Sequence, residues 1–134
     1  ANEVTALQGK VFKAWLSDSV TSAASRLTHS AVPYVDTDGT LIVNNWEDLT
    51  DGYLYKGINR TQDGTLISGS NAWTNTGTDG SSYSTAAMSI CQDWTAVGFF
   101  NDGLTGRSDQ SNAGWTQSIY KGCDTTQHLY CVEQ

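Results

Sequence analysis

Apolar and polar positions alternate in short blocks along this chain, and most blocks end at a turn signal. Residues 11–17 are mainly apolar and are bounded by Gly9 and Asp18, which predicts a buried strand. Residues 19–27 follow with apolar positions at helical spacing, so we expect a short, weak helix there. The protein therefore opens with a strand and a helical turn.

Two Asp-Gly pairs predict tight turns. Residues 32–43 contain two β-rich runs that flank Asp38-Gly39, and glycine supplies the positive φ that hairpin turns need. Asp63-Gly64 predicts a second turn of the same kind. Between the turns, Asn44 is the predicted N-cap of a one-turn helix that ends at Leu49.

The second half of the sequence predicts little regular structure. From Gly69 onward it is rich in Gly, Ser, Asn and Asp, and we expect mainly loops, with a final strand over residues 127–132. Trp73, Trp94 and Trp115 recur at equal spacing among these loops. The predicted fold class is α+β, mainly β, with one or two short helices and long loops in a single domain, 1–134.

Composition narrows the functional classes. Charged residues make up only 16% of the sequence, and its abundant small polar residues fit an extracellular β-type surface. The net charge is −7, and the seven Lys and Arg residues are scattered, which argues against nucleic acid, heparin or anionic membranes as partners. No apolar run approaches the roughly 20 residues of a transmembrane helix.

The three cysteines cannot all pair with one another in a single polypeptide. Cys91, Cys123 and Cys131 therefore leave one thiol that is free, bonded to another polypeptide, or separated from a partner that precedes Ala1. A zinc site that combines the three thiols with His128 is conceivable, although no Cys-x-x-Cys pair is present. Cys131 as a nucleophile is disfavoured because an apolar strand raises the pKa of a thiol.

Several blocks together resemble the endostatin family, the C-terminal domains of collagens XV and XVIII. The blocks, in order, are Gly-Lys-Val-Phe-Lys-Ala-Trp-Leu-Ser at 9–17, Ala-Val-Pro-Tyr-Val at 31–35 with Asp-Gly-Thr-Leu-Ile at 38–42, Asn-Trp-Glu-Asp-Leu at 45–49, Cys-Gln-Asp-Trp at 91–94, Cys123, and Leu-Tyr-Cys-Val-Glu at 129–133. The C-terminal Leu-Tyr-Cys-Val-Glu-Gln is especially similar to bacterial endostatin-like proteins on the outer surface of spirochaetes.

The resemblance implies a compact C-type lectin-like fold and a secreted or cell-surface location, on the outer surface of a bacterium. It also implies a structural disulfide between Cys91 and Cys123. In the family, the cysteine that matches Cys131 pairs with one in the first helix. That helix is truncated here, and the expected partner would precede Ala1. The zinc site of endostatin does not carry over, because no histidine precedes His29; His29 and His128 are expected to be structural.

Candidate ligand-binding residues lie in the loop-rich half. Trp73, Trp94 and Trp115 are expected in the core beneath the loops, but an exposed tryptophan there would suit sugar stacking or a protein hot spot. An oxygen-rich loop from Asn101 and Asp102 to Asp109 could bind calcium.

Other local motifs have simpler interpretations. Asp36 to Gly39 superficially resembles a calcium loop but fails the EF-hand pattern, so a turn is expected. Asn59-Arg60-Thr61 is a glycosylation sequon.

Three functional hypotheses follow. The first is a non-catalytic, adhesin-like binding domain for host matrix or serum proteins, which contacts them through loops between Gly69 and Gly114. The second is a structural subunit of a surface filament or sheath, completed through Cys131 by an upstream segment or another polypeptide. The third is a carbohydrate-binding lectin. No motif of hydrolase, metalloprotease or phosphate-loop enzymes is present.

Overall fold

Short strands and helical turns joined by long loops make up residues 7–134, the part of the protein that a computed structural model describes. The strands are β1 (Phe12–Ala14), β2 (Tyr34–Val35), β3 (Leu41–Val43), β4 (Asn71–Trp73), β5 (Asp102–Arg107), β6 (Ile119–Gly122), β7 (His128–Leu129) and β8 (Cys131–Glu133). The right-handed helices are α1 (Ala23–Arg26) and α2 (Trp46–Leu49), and 3₁₀ turns occur at Ala87–Ser89 and Ala113–Trp115. The truncated first helix expected at the N-terminus falls almost wholly outside the described residues.

The strands form three small sheets. β1 pairs antiparallel with β8, β2 pairs antiparallel with β3, and the largest sheet has the order β6-β5-β4-β7. Within that sheet only the β4–β7 pair is parallel. The architecture is an α+β domain that is mainly β, which agrees with the predicted fold class. In residues 7–134 no helix is long and apolar enough to cross a membrane.

The first half of the protein follows its turn signals closely. β2 and β3 form the predicted hairpin, and Gly39 has the positive φ of 84° that its turn requires. The predicted helix at 45–49 is present, but its N-cap is Asn45, whose side chain accepts a hydrogen bond from the Asp48 amide. The prediction of Asn44 was wrong by one residue; its own amide is bound by the Asp48 carboxylate.

The second half is more regular than the sequence indicated. Most residues from 69 onward lie outside regular elements, as expected, but the sequence did not indicate β4, β5 and β6, which form most of the largest sheet. The predicted final strand is interrupted at Tyr130, which turns into the core between β7 and β8. Near the N-terminus, the predicted strand over 11–17 is regular only at 12–14, and Val11 is 63% exposed at the edge of the two-stranded sheet.

The core is centred on an aromatic cluster. Trp15 packs against Trp46 and Trp115, with ring centroids 5.8 and 5.0 Å away, and Tyr130 packs against Trp115. The indole Nε1 of Trp15 donates a 2.7 Å hydrogen bond to the buried Oγ1 of Thr116. Because Thr116 accepts this bond inside the core, burial of the cluster does not leave the indole N–H of Trp15 unpaired.

Candidate functional site: the tryptophan cleft and its surroundings

A cleft beside the largest sheet contains two of the tryptophans considered above. The rings of Trp73 and Trp94 are 5.5 Å apart between centroids, inclined at 57°, and both residues are partly exposed. The cleft has a volume of about 240 Å³, and its other walls include Leu16, Leu129 and Ala96. We call this site the tryptophan cleft.

The base of the cleft depends on a glycine and a disulfide. Cys91 and Cys123, which also line the cleft, are joined by the expected disulfide. A β-carbon at Gly103 would lie 3.0 Å from ring atoms of both Trp73 and Trp94, closer than ordinary packing allows. Glycine near the start of β5 therefore makes room for the two indole rings.

The residues from Cys91 to Trp94 form a left-handed helical turn. Their φ angles are 48°, 49°, 54° and 64°, although none of the four is glycine. This conformation costs L-residues roughly 1–2 kcal/mol each. A strained backbone persists only where its surroundings over-determine it, and such segments cluster at functional sites.

Contacts from the N-terminal half hold this turn. Trp94 donates from Nε1 to the Ser17 carbonyl at 3.0 Å. The Asp93 carboxylate accepts hydrogen bonds from both the amide and the hydroxyl of Ser19, each at 2.8 Å. Together with the disulfide, these bonds fix the Trp94 ring while leaving part of it accessible.

A smaller pocket of about 120 Å³ adjoins the tryptophan cleft and shares Leu16 and Trp94 with it. Arg26 and Asp18 also line this pocket, which we call the Arg26 pocket. The amides of Thr21 and Val20 donate to the Asp18 carboxylate and, with Arg26 nearby, hold its pKa below the usual range. Asp18 is therefore ionised at neutral pH.

An exposed apolar loop begins and ends beside the cleft. Val97, Phe99 and Phe100 are 83%, 69% and 77% exposed, and the two phenylalanine rings lie 4.1 Å apart. At the start of the loop the Ala96 amide donates to the Cys91 carbonyl at 2.8 Å, and at its end the Asn101 carbonyl accepts from Cys123 at 2.9 Å. We call residues 97–100 the apolar loop.

The other candidate ligand-binding residues do not converge on the cleft. Trp115 lies in the core and is 1% exposed, so its ring cannot stack on a ligand. Expecting an oxygen-rich loop from Asn101 to Asp109 was wrong, because β5 occupies most of that segment and separates Asp102 from Arg107 by about 17 Å. Asp109 instead forms a bidentate ion pair with Arg107. Within the described part of the protein, no three His, Cys, Asp or Glu side chains are grouped to hold a metal ion.

The two carboxylates of the Asp-Gly turn at 36–39 each pair with a basic side chain. Asp36 forms an ion pair with Lys56, and Asp38 pairs with Arg60 at 2.8 Å. Lys56 and Arg60 thus contact the carboxylates that a calcium ion would need as ligands. This arrangement fits the expected turn and not a calcium loop. Asn59, in the sequon, is partly exposed as a residue, but its Oδ1 is buried.

The histidines lie outside the cleft lining. His29 stacks on Trp46 at 3.9 Å between ring centroids, and its Nε2 is 2.7 Å from the Ala24 carbonyl. Both contacts hold the imidazole ring against the fold. His128 is exposed on β7.

Cys131 has no disulfide partner in residues 7–134. It lies on β8 opposite Ala14, and partial burial raises the pKa of its thiol. Its predicted pairing with a residue upstream of Ala1 stays a prediction.

Sequence reasoning missed several residues around the cleft, chiefly Leu16, Arg26 and the apolar loop. The loop had a usable signal, since Val-Gly-Phe-Phe is apolar without strand alternation and lies between turn-forming segments. Arg26 had none, because its position depends on hydrogen bonds to the backbone carbonyls of Ala14 and Leu16, which no local motif indicates. No family model matches this protein, and no curated protein is significantly similar to it.

Proposed function

We propose that this protein is a non-catalytic, extracellular binding domain of the endostatin-like, C-type lectin-like kind, whose partners are host matrix or serum proteins. The observation that carries the proposal is the apolar loop. Val97, Phe99 and Phe100 are among the most exposed large apolar residues of the described part of the protein, and they are close together in sequence. Clustered exposed apolar side chains typically mark an interaction surface.

The setting of the loop favours a protein partner. Aromatic residues are enriched at protein interfaces, and a loop that is already fixed loses less entropy on binding. Hydrogen bonds to Cys91 and Cys123 fix both ends of this loop. Met88, 61% exposed, adds apolar surface from the same half of the protein. With a net charge of −7, attraction to an anionic membrane is disfavoured.

The disulfide supports an extracellular location. Disulfides persist in oxidising compartments and are rare in the cytosol. The Cys91–Cys123 bond crosslinks the turn that carries Trp94 to the end of β6, so the candidate site itself depends on oxidising conditions.

The experiment is a binding assay with purified matrix proteins and complement regulators, using surface plasmon resonance. We expect at least one to bind with a micromolar or lower Kd, and Phe99→Ser/Phe100→Ser to weaken that binding about tenfold or more. Tyr53→Ser/Leu66→Ser is the matched control, because those side chains are 69% and 59% exposed but lie outside the loop. No binding at micromolar concentration, or equal effects of the two double variants, would contradict the proposal.

One observation favours the structural-subunit alternative. Cys131 is an exposed thiol on a strand of a two-stranded sheet, where another polypeptide or segment could be crosslinked. Non-reducing electrophoresis and intact mass of native material decide this. A monomer with one free thiol excludes the covalent form of that assembly.

A further inference from the structure

The guanidinium of Arg26 is held in position by backbone carbonyls and forms no ion pair within residues 7–134. Its Nη2 donates to the carbonyls of Ala14 and Leu16, both at 2.7 Å. A guanidinium has five N–H groups, and those on Nε and Nη1 have no acceptor among residues 7–134. By contrast, Arg60 and Arg107 each pair with an aspartate. Arg26 is thus the one arginine of the described residues that has no carboxylate partner.

The carboxylates closest to this region are already used by local donors. Asp18 accepts from the amides of Val20 and Thr21 at 2.8 and 2.7 Å. Asp93 accepts both of its hydrogen bonds from Ser19. Neither forms an ion pair with Arg26 within the described residues. The open N–H groups on Nε and Nη1 can therefore donate single charge-assisted hydrogen bonds to an external carboxylate.

The adjoining tryptophan cleft suits one large apolar side chain. Its volume of about 240 Å³ lies below the range of about 300–1,000 Å³ typical of pockets for drug-sized ligands. Thr125 supplies the only side-chain hydroxyl of the lining, and no lining residue has a charged or amide side chain. A sugar ring would leave most of its hydroxyls without partners there, whereas an aliphatic or aromatic side chain would not.

The two pockets share part of their walls. Leu16 and Trp94 form walls of both, and the Leu16 carbonyl is itself one of the two acceptors that hold Arg26. A ligand that extends across this shared wall would place a carboxylate at Arg26 and an apolar group in the cleft.

We propose that the tryptophan cleft and the Arg26 pocket together bind a polypeptide segment in which a large apolar side chain is next to a carboxylate. This inference rests on the proposed binding function and names the chemistry that the domain recognises. The carboxylate has two possible sources, the carboxyl terminus of a polypeptide or an adjacent Asp or Glu side chain.

Peptide titrations followed by ¹⁵N NMR test the inference on the protein of residues 1–134. The probes are acetyl-Gly-Gly-Gly-Phe with a free C-terminal carboxylate, the same peptide with a C-terminal amide, and acetyl-Gly-Phe-Glu-Gly amide. We expect the free acid or the glutamate peptide to shift the indole N–H signals of Trp73 and Trp94. That peptide should also bind about tenfold or more tightly than acetyl-Gly-Gly-Gly-Phe amide, which has no carboxylate. Which of the two binds identifies the source of the carboxylate.

Arg26→Gln separates recognition from structural damage. We expect this variant to lose the preference for the carboxylate while it binds the simple amide as the wild type does. Lys10→Gln removes the same charge outside the pocket and should change neither affinity. Equal binding of acid and amide by the wild type, or unshifted Trp73 and Trp94 signals at millimolar peptide, overturns the inference. If matrix or serum proteins still bind, only this inference has failed; if they do not, the proposed function fails as well.

Discussion

The five tryptophans divide into two groups that differ in access to solvent. Trp15, Trp46 and Trp115 form the core cluster, in which none is more than 9% exposed. Trp73 and Trp94 are similarly close to each other, at 5.5 Å, but they line an open cleft. Proximity between indole rings therefore does not distinguish buried tryptophans from solvent-accessible ones in this domain.

The two groups differ in what holds them. The core cluster is surrounded by buried side chains on several elements, so its stability comes from area removed from water. The cleft pair is held by a disulfide, a hydrogen bond from Trp94 and a left-handed turn. A side chain fixed by its backbone and by hydrogen bonds can keep an open face, whereas one fixed by packing cannot.

The largest expected effect is a difference in unfolding free energy between alanine variants of the two tryptophan groups. Trp115→Ala should lower the free energy of unfolding by about 3–5 kcal/mol, because it opens a cavity in the core. Trp73→Ala should cost clearly less, about 1–2 kcal/mol, since part of that ring already contacts water. Urea denaturation of both variants measures the difference. Equal losses would mean that the cleft pair is part of the core.

Removal of the Cys91–Cys123 disulfide should have the second-largest effect on stability. It encloses residues 91–123, and the chain-entropy relation gives about 3–4 kcal/mol for a loop of this length. Cys91→Ser/Cys123→Ser should therefore lose about that stability, and the NMR signal of the Trp94 indole should move while that of Trp15 stays. Cys131→Ser is the control, with an expected change within about 0.5 kcal/mol. Movement of both indole signals would show that the two groups are one unit.

Alkaline pH probes the core cluster through the buried phenol of Tyr130. Burial raises the pKa of Tyr130 far above its ordinary value of 10.0, so the folded state keeps the phenol neutral. Above about pH 10 the unfolded state releases this proton and the folded one does not, so stability should fall by about 1.4 kcal/mol per pH unit. Below pH 10 this contribution is fully present.

Tyr130→Phe should remove much of that alkaline loss. Because the buried Tyr130 hydroxyl has no hydrogen-bond partner in the described part of the protein, removing it should leave stability at pH 7 unchanged or raise it slightly. Tyr53→Phe, at a residue that is 69% exposed, is the control and should leave the alkaline slope unchanged. Denaturation curves between pH 7 and 11 measure both, and equal slopes for the two variants would contradict burial of Tyr130.

Local features of the fold were predictable from the sequence. The turn at Gly39 and the short helix at 46–49 depend on residues within a few positions of each other, and local chemistry specifies them. The Cys91–Cys123 bond was expected from the resemblance to endostatins, because three cysteines alone allow several pairings.

Features that depend on distant contacts were not predictable. β5 contains Gly103 and Gly106, which lower strand propensity, yet both are needed because Trp73, Trp94 and the backbone at Trp115 pack directly against them. Burial of Trp115 but not of Trp94 likewise has no local signature. The candidate site consists mainly of such non-local contacts, so the sequence indicated its residue types but not their arrangement.

The smallest expected effect tests whether backbone strain positions the cleft. Gln92 has φ 49°, and its exposed side chain donates one 3.3 Å hydrogen bond to Asn101. Glycine adopts this conformation freely, so Gln92→Gly should relieve roughly 1–2 kcal/mol of strain. It should also cost about 0.5–1 kcal/mol in backbone entropy, for a net stabilisation of about 0.5–1 kcal/mol in urea denaturation.

Gln62→Gly is the matched control, because Gln62 is also exposed but does not have a positive φ. It should destabilise the domain by about 0.5–1 kcal/mol, since glycine adds only flexibility there. Equal destabilisation by both variants would show that the left-handed turn carries no strain. If Gln92→Gly instead stabilises the fold and weakens binding of peptide at the cleft, then the left-handed turn orients Trp94 although its conformation is unfavourable for folding. The core cluster has no such dependence, because its tryptophans are positioned by packing.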